Sequence, residues 1–433
     1  MNYYSLNNKS HKVSFQEAVI QGLAPDKGLY FPEQIMQLSP SFFHTIETKS
    51  NEEIAFEAVK QFVGNEIPET ELKQIIKETL CFDFPLIKVE ENVFSLELFH
   101  GPTMAFKDVG ARFMSRCLAF FNKDKEQHNT VLVATSGDTG GAVASGFLGV
   151  KGVKVVILYP SGKVSDIQER QLTTLGQNIT ALEVDGVFDD CQDMVKRAFL
   201  DPTLQFLNLT SANSINIARW LPQMIYFFIA YRELKKYNKP IITSCPSGNF
   251  GNICAGIIAK KMGLPIHHFV ASTNSNDVVP EFMKTGIYNA KPSKATISNA
   301  MDVGNPSNFI RIQEMYHNDL MQFNKDFSSY SFTDEETIES MKQIQSKYNY
   351  ISEPHGAVGY LGLKKEIKKQ DIDCVGFFLE TAHPIKFLDI VEPVLNQKLE
   401  IPEQIKSVLN KDKKSIKIKS YEDMKLILNS LSV

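Results

Sequence analysis

From Val131 to Ala271 the chain alternates short β-branched apolar runs with stretches of helical period: VLVAT at 131–135, VKVVILY at 153–159, IITS at 241–244 and IHHFVAS at 266–272. This alternation predicts a parallel sheet covered by helices on both faces, the α/β class. CVGFFLE at 374–380 belongs with it, because burial on both faces demands a nearly continuous apolar run. The start of the chain reads differently. It has helical period over Ser14–Gly22 and Asn51–Val63 and prolines at Pro25, Pro32 and Pro40, so residues 1–92 are taken as a separate N-terminal unit whose boundary falls near Pro85–Asn92. Residues 93–398 then form the core, with a smaller α/β subdomain at about 125–225, and 399–433, carrying KDKKSIKIK, read as a charged, peripheral tail packed on that core.

Composition narrows the chemistry. With 433 residues, 43% of them apolar, the chain can bury a sizeable core in two or three packed units. A net charge of −4, from 46 basic and 50 acidic side chains, provides no overall field for nucleic acid or an anionic membrane, so any anion site is built locally. The longest apolar runs, such as Val155–Tyr159, fall far short of the ~20 residues that span a bilayer, and MNYYSLNNKSHK lacks an apolar export core. A soluble, cytoplasmic protein is expected. Six cysteines without a CxxC pair fit a reducing compartment, with neither a disulfide framework nor a metal site.

Two strands run into glycine-rich turns that open helices: VLVAT into SGDTGGAVASGF, and IITSCP into SGNFGNICAGIIAKK. Such a turn exposes unpaired N–H groups and the positive end of a helix dipole, which suits phosphate. One turn alone is more often a tight connection. Neither is a nucleotide P-loop, and neither is a full dinucleotide fingerprint, which weakens a dehydrogenase reading and favours a phosphate carried by something else. In FHGPTMAFKDVGARF, Thr103 is the candidate cap of a helix and Lys107 sits in its first turns. A lysine is usually a solvated surface group, but one in apolar surroundings beside another cation has a lowered pKa and can form an imine. In TSANSINIARWLPQ, Asn213, Ser214 and Asn216 open a long amphipathic helix that carries Arg219, a set that also suits a phosphate monoester. In FFLETAHPIKF, Thr381 lies just past a buried strand.

In this order, FHGPTMAFKD, ATSGDTGGA, NSINIARWLPQ, CPSGNFGN, SNAMDVGNPSNF and LETAHPIKF resemble the threonine synthases, fold-type II pyridoxal-phosphate enzymes, and VSFQEAVIQGLAPDKGLYFPEQI resembles their N-terminal unit, so the likeness covers nearly the whole chain. The resemblance implies a parallel-sheet α/β core of two subdomains with a smaller N-terminal domain. It implies that Lys107 holds pyridoxal 5′-phosphate as a Schiff base, and that Gly248, Asn249, Phe250, Gly251 and Asn252 bind the cofactor phosphate. Asp138 falls near the pyridine 3′-oxygen and Thr381 at the pyridine nitrogen. Thr135, Ser136 and Thr139 face the amino-acid substrate, and Asn213, Ser214 and Arg219 clamp its phosphate. Asn305, Ser307 and Asn308 lie in a family motif, without assigned contacts. Lys27 stands where relatives often have Gly, and Gly356 where they often have Thr.

The implied reaction is conversion of O-phospho-L-homoserine and water to L-threonine and phosphate, by γ-elimination and β-addition, the last step of threonine biosynthesis. A phospho-lyase releasing 2-oxobutyrate would use the same groups. A non-catalytic binding protein of the same fold would show a missing lysine or a damaged loop, and this chain has neither. The sequence does not choose between monomer and homodimer.

Overall fold

The structure is a computed structural model that describes residues 1–123 and 129–431; the expected subdomain boundary at 125 lies outside the described residues. β1 (Asn2–Ser5), β2 (Lys12–Ser14) and β3 (Tyr30–Pro32) form a small antiparallel sheet in the order β2-β1-β3. The helices that follow begin where the sequence supplies caps. Ser14 with Glu17 and Ser50 with Glu53 make capping boxes for the helices Phe15–Gln21 and Asn51–Val63. Lys27 occupies a left-handed turn position (φ 66), which explains a preference for glycine there.

β4 (Leu86–Glu90) and β5 (Val93–Glu97) form an antiparallel pair at one side of a large sheet. The chain then leaves that sheet and builds a second one from β6 (Asn129–Ala134), β7 (Val153–Pro160), β8 (Ile179–Val184) and β9 (Leu209–Ser211). It returns with β10 (Ile241–Pro246), β11 (His268–Thr273), β12 (Phe327–Ser331) and β13 (Val375–Glu380), and β14 (Ile416–Ile418) goes back to the second sheet. The strand orders are β12-β11-β10-β13-β5-β4 and β14-β8-β7-β6-β9, and every pair except β4–β5 is parallel. The apolar runs between Val131 and Ala271 are therefore divided between two sheets. All six residues in each of β6, β10, β11 and β13 are buried, as helices on both faces require. No described helix is long and apolar enough to cross a membrane.

Three local expectations give way to tertiary structure. The tail is part of the small sheet's layer: β14 extends β8, and the helix Tyr421–Ser430 buries Tyr421, Met424 and Leu428 with Leu182, Val184 and Cys191. Its lysines face outward, which gave the segment a peripheral look. The predicted long helix after Asn213 is broken into the helix Ile217–Trp220, a 3-10 turn at Leu221–Met224 and the helix Ile225–Leu234, because Pro222 fixes φ and has no N–H to donate. Thr103 caps nothing. The helix Lys107–Phe121 starts at Phe106, and Thr103 turns to Asp108, donating from Oγ1 to Oδ1 at 2.6 Å and from its backbone N–H to Oδ2 at 2.9 Å.

The helix Pro354–Gln370 lies against β10, β11 and β13, and Gly356 and Gly362 are two points of tight approach. A Cβ at Gly356 would sit 1.7 Å from Oε2 of Glu380, a fully buried side chain that accepts from Ser352 Oγ at 2.8 Å and from the backbone N–H of Glu353 at 2.7 Å. The carboxyl cannot swing away without losing both bonds. Gly356→Thr should therefore destabilise the protein by about 1–3 kcal/mol in chemical denaturation, and Gly356→Thr with Glu380→Ala should recover most of that loss. Strict additivity of the two changes would refute the contact.

Candidate active site

The chemistry-bearing segments meet at the carboxyl ends of strands from both sheets, where ligands bind in parallel α/β proteins. β6 runs into Thr135–Gly140, β10 into Ser247–Asn252, and β13 into Thr381 and the turn after it. Backbone pairing sets their register. Phe106 N–H donates to Thr381 O at 2.9 Å, His383 N–H to Met104 O at 3.0 Å, and Ala105 bridges Ala382, so Lys107 starts its helix beside Thr381.

The electrostatics centre on two buried cations, Lys386 and Arg219, and on Lys107, whose side chain keeps 17% exposure. Lys107 Nζ lies 3.7 Å from Asp138 Oδ2 and 4.8 Å above the ring of Phe106. Burial lowers its pKa; Asp138 opposes the shift, while Lys386 and Arg219 add to it. Lys386, with no exposed surface, donates to Asp138 Oδ1 at 2.7 Å and to Thr103 O at 2.8 Å. Burial alone would raise the Asp138 carboxyl, but Lys386 and Lys107 outweigh it and hold the group well below the usual carboxylate range. Arg219 is 2% exposed, and its Nε and Nη1 have no hydrogen-bond partner among the described residues. Burial pulls its guanidinium down to about 10, opposed by the charge of Asp108.

Side-chain bonds lock the surrounding turns together. Thr135 Oγ1 accepts from the N–H groups of Gly137 (2.9 Å) and Gly140 (2.8 Å), so it shapes its own turn and has only its proton left to offer. Ser136 and Thr139 are half-buried, and their hydroxyls make no side-chain hydrogen bond among the described residues. Asn213 Nδ2 donates to Ala134 O at the end of β6 (2.9 Å). Ser214 Oγ accepts from Asn249 Nδ2 (2.7 Å) and Asn308 Nδ2 (3.3 Å). Ser307 N–H donates to Asn249 Oδ1 at 2.6 Å, and Asn305 accepts from Tyr288. Behind them Arg311, fully buried, donates to Asn308 Oδ1, Ile215 O and Tyr30 O, with its guanidinium 4.7 Å over Trp220.

The turn at 248–252 has the features a phosphate needs. Gly248 approaches Met301 so closely that a Cβ would lie 2.7 Å from its Cα. Phe250 takes a left-handed conformation (φ 60), which costs about 1–3 kcal/mol and is held by edge packing on Phe309. The helix Gly251–Lys261 has no side-chain cap, and among the described residues the buried Nδ2 of Asn252 has no partner while its Oδ1 accepts from Tyr226. An orphaned amide at a helix start fits the phosphate of pyridoxal phosphate, and the depressed amine of Lys107 fits its aldehyde.

Comparison with known proteins agrees. The family model described as "Pyridoxal-phosphate dependent enzyme" matches residues 72–375, "Threonine synthase N terminus" matches 2–80 and "Threonine synthase, C-terminal" matches 356–427. The chain is thus a fold-type II pyridoxal-phosphate enzyme, with pyridoxal phosphate as its cofactor. It is 46% identical to the threonine synthase of Haemophilus influenzae over 407 residues, 94% of each protein. The crystal structure of Escherichia coli threonine synthase superposes with a TM-score of 0.92 at 40% identity, covering 99% of this chain and 100% of that one. The structure of pyridoxal-phosphate-bound threonine synthase from Brucella melitensis superposes at 0.93 with 32% identity, covering 99% of each chain. The chain belongs to the threonine synthase family.

Sequence reasoning missed four residues of this region. Lys386 stood inside the quoted motif LETAHPIKF, where its position two residues past Pro384 was a usable signal. Glu353, His355 and Arg311 carried no local signal.

Lys386 generates a test. Lys386→Met leaves Asp138 buried with Lys107 as its sole cation, and breaking a buried pair costs about 3–5 kcal/mol. Because the folded-state pKa of Asp138 is depressed, its stabilising contribution is present at neutral pH and lost as pH falls through and below the carboxylate range. The stability gap between variant and wild type, measured by denaturant melts, should be widest near neutrality and narrow in acid. An equal gap at all pH values would show that the pair is not ionic.

Proposed function

We propose that this chain converts O-phospho-L-homoserine and water into L-threonine and phosphate. The observation that carries the reading is Arg219: a buried guanidinium with two unpartnered nitrogens, in the same electrostatic cluster as Lys107, calls for an anion beyond the one taken by the 248–252 turn. Dehydration or thiol addition of unphosphorylated amino acids needs no second phosphate site. The free thiols, five of the six buried, support a reducing, cytoplasmic setting.

The conversion breaks Cγ–O, puts the hydroxyl of water on Cβ and leaves Cγ as a methyl. Protons therefore leave Cα and Cβ and are returned to Cα and Cγ. When bound, pyridoxal phosphate supplies the electron sink that makes those protons acidic. Lys107 is suited to move the Cα proton, because burial lowers its pKa and so favours the neutral amine over the ammonium. Asp138, held ionised by Lys386, keeps a counter-charge 3.7 Å from that amine through the cycle. Arg219 orients the leaving phosphate and takes up its developing charge, with Asn213 and Ser214 on the adjoining turn. Ser136 and Thr139 have free hydroxyls for the substrate carboxylate. Thr381 lies beside Lys107, where it meets the ring nitrogen.

Lys107→Ala should abolish turnover and the borohydride-trappable imine, because one amine carries both roles. Phosphate release together with threonine in the purified wild type is the decisive assay. Release of 2-oxobutyrate in threonine's place would replace this reading with a phospho-lyase. Arg219→Met should lower kcat/KM for O-phosphohomoserine by about 10- to 150-fold, the value of a charge-assisted hydrogen bond of about 1.5–3 kcal/mol, while the visible spectrum of the cofactor is unchanged. Lysine at 219 should rescue only in part. A near-wild-type kcat/KM in Arg219→Met would move the second phosphate site elsewhere.

A further inference from the structure

The turns at 213–216 and 248–252 are tied to one buried arginine, and the direction of each bond between them follows from groups that only donate or only accept. Arg311 has no exposed surface and no carboxylate within ion-pair reach among the described residues. Its guanidinium can only donate. It gives one N–H to Oδ1 of Asn308 and others to the carbonyls of Ile215 (2.6 Å) and Tyr30 (3.0 Å), and it lies 4.7 Å over the ring of Trp220, the neighbour of Arg219. With its oxygen turned to Arg311, Asn308 presents Nδ2 to the carbonyl of Asn249 at 3.0 Å and to Ser214 Oγ at 3.3 Å. Asn249 is oriented from another side. Its Oδ1 accepts from the backbone N–H of Ser307 at 2.6 Å, so its Nδ2 is the donor to Ser214 Oγ at 2.7 Å.

Ser214 stands where the two amides meet. An amide nitrogen cannot accept, so the proton of the Ser214 hydroxyl is left over, and none of the described residues takes it. A hydroxyl met by donors from behind is itself a donor on its open side, which an anionic oxygen completes. Reversing the Asn308 amide would put an oxygen against Ser214 and consume that proton. We propose that Arg311, acting through Asn308, is a positioning residue for the substrate's phosphate: it keeps Ser214 a hydrogen-bond donor and fixes the turn that leads to Arg219. The inference rests on the reading that this turn receives the phosphate of O-phosphohomoserine. Arg311 also joins the core to the N-terminal sheet through Tyr30, and a brace alone predicts no coupling to the Ser214 hydroxyl.

A double-mutant cycle on kcat/KM for O-phosphohomoserine, measured on folded holoenzyme with an intact Lys107 imine band, separates these roles. Ser214→Ala alone should lower kcat/KM by about tenfold or more, the worth of a charge-assisted hydrogen bond. Arg311→Met should lower it by a similar factor. Combined with Ser214→Ala, it should cost little beyond Ser214→Ala alone, because the hydroxyl through which Arg311 acts is already gone. Losses that multiply make Arg311 a brace only and overturn the proposal, as does a wild-type kcat/KM in Arg311→Met. Should Arg311→Met fail to fold, Asn308→Asp provides the same readout: it keeps an acceptor for Arg311 but turns an oxygen toward Ser214, and most of its loss should vanish in the Ser214→Ala background. A silent Ser214→Ala would show that the turn does not meet the substrate's phosphate, and the role of Arg311 falls with that reading. A costly Ser214→Ala with multiplying losses retains the reading and rejects the role of Arg311 alone.

Discussion

The rest of the structure answers to one constraint, an excess of positive charge held away from water. Lys107 and Lys386 share one contacting carboxylate, Asp138, while Arg219, buried close by, is offset only by the charge of Asp108, which is itself bonded to Thr103. Buried charges persist only when paired or when a ligand completes them. A site with this imbalance is organised around anions that arrive with cofactor and substrate. The lowered pKa of the Lys107 amine comes first from burial, and the neighbouring cations Lys386 and Arg219 add to it.

The turns around those charges are held by a mesh of short polar side chains. Asn249, Ser214, Asn308 and Ser307 bond to one another across three separate segments, and Arg311 carries the mesh to Tyr30 in the N-terminal sheet. The first sheet is thus a brace for the phosphate turn. Phe31 stacked on Trp220 and Phe15 against Phe121 extend the same contact through apolar packing. A strained residue such as Phe250 persists because its surroundings are fixed on several sides.

Much of this was legible in the sequence. The strands at 131, 153, 241, 266 and 374 could be read because burial on both faces leaves uninterrupted apolar runs, and Lys107, Asp138, Thr381 and the 248–252 turn were found through ordered motifs. What stayed hidden was whatever depends on partners remote in sequence. Periodicity could not divide β6 and β7 from β10 and β11, since strands of different sheets carry the same pattern. ITALEV at 179–184, with two half-exposed positions, had a weaker signal than its neighbours. The helix after Asn213 was overestimated because the break at Pro222 outweighs a continuous apolar stripe. Arg311 acts through the carbonyls of Tyr30 and Ile215, and no local spacing announces such contacts.

The weave of the two sheets also bears on how the molecule comes into being. β5 is made early, yet its parallel neighbour β13 is made near the end, and β8 waits for β14, the last strand of all. On a ribosome, neither sheet can be completed while its late strands are still unmade, and pairings between such distant segments are slow to form. The emerging chain must keep the apolar edges of β5 and β8 uncovered for most of its synthesis. Those edges are where a chaperone would find most to hold, and where a stalled chain would stick to its neighbours.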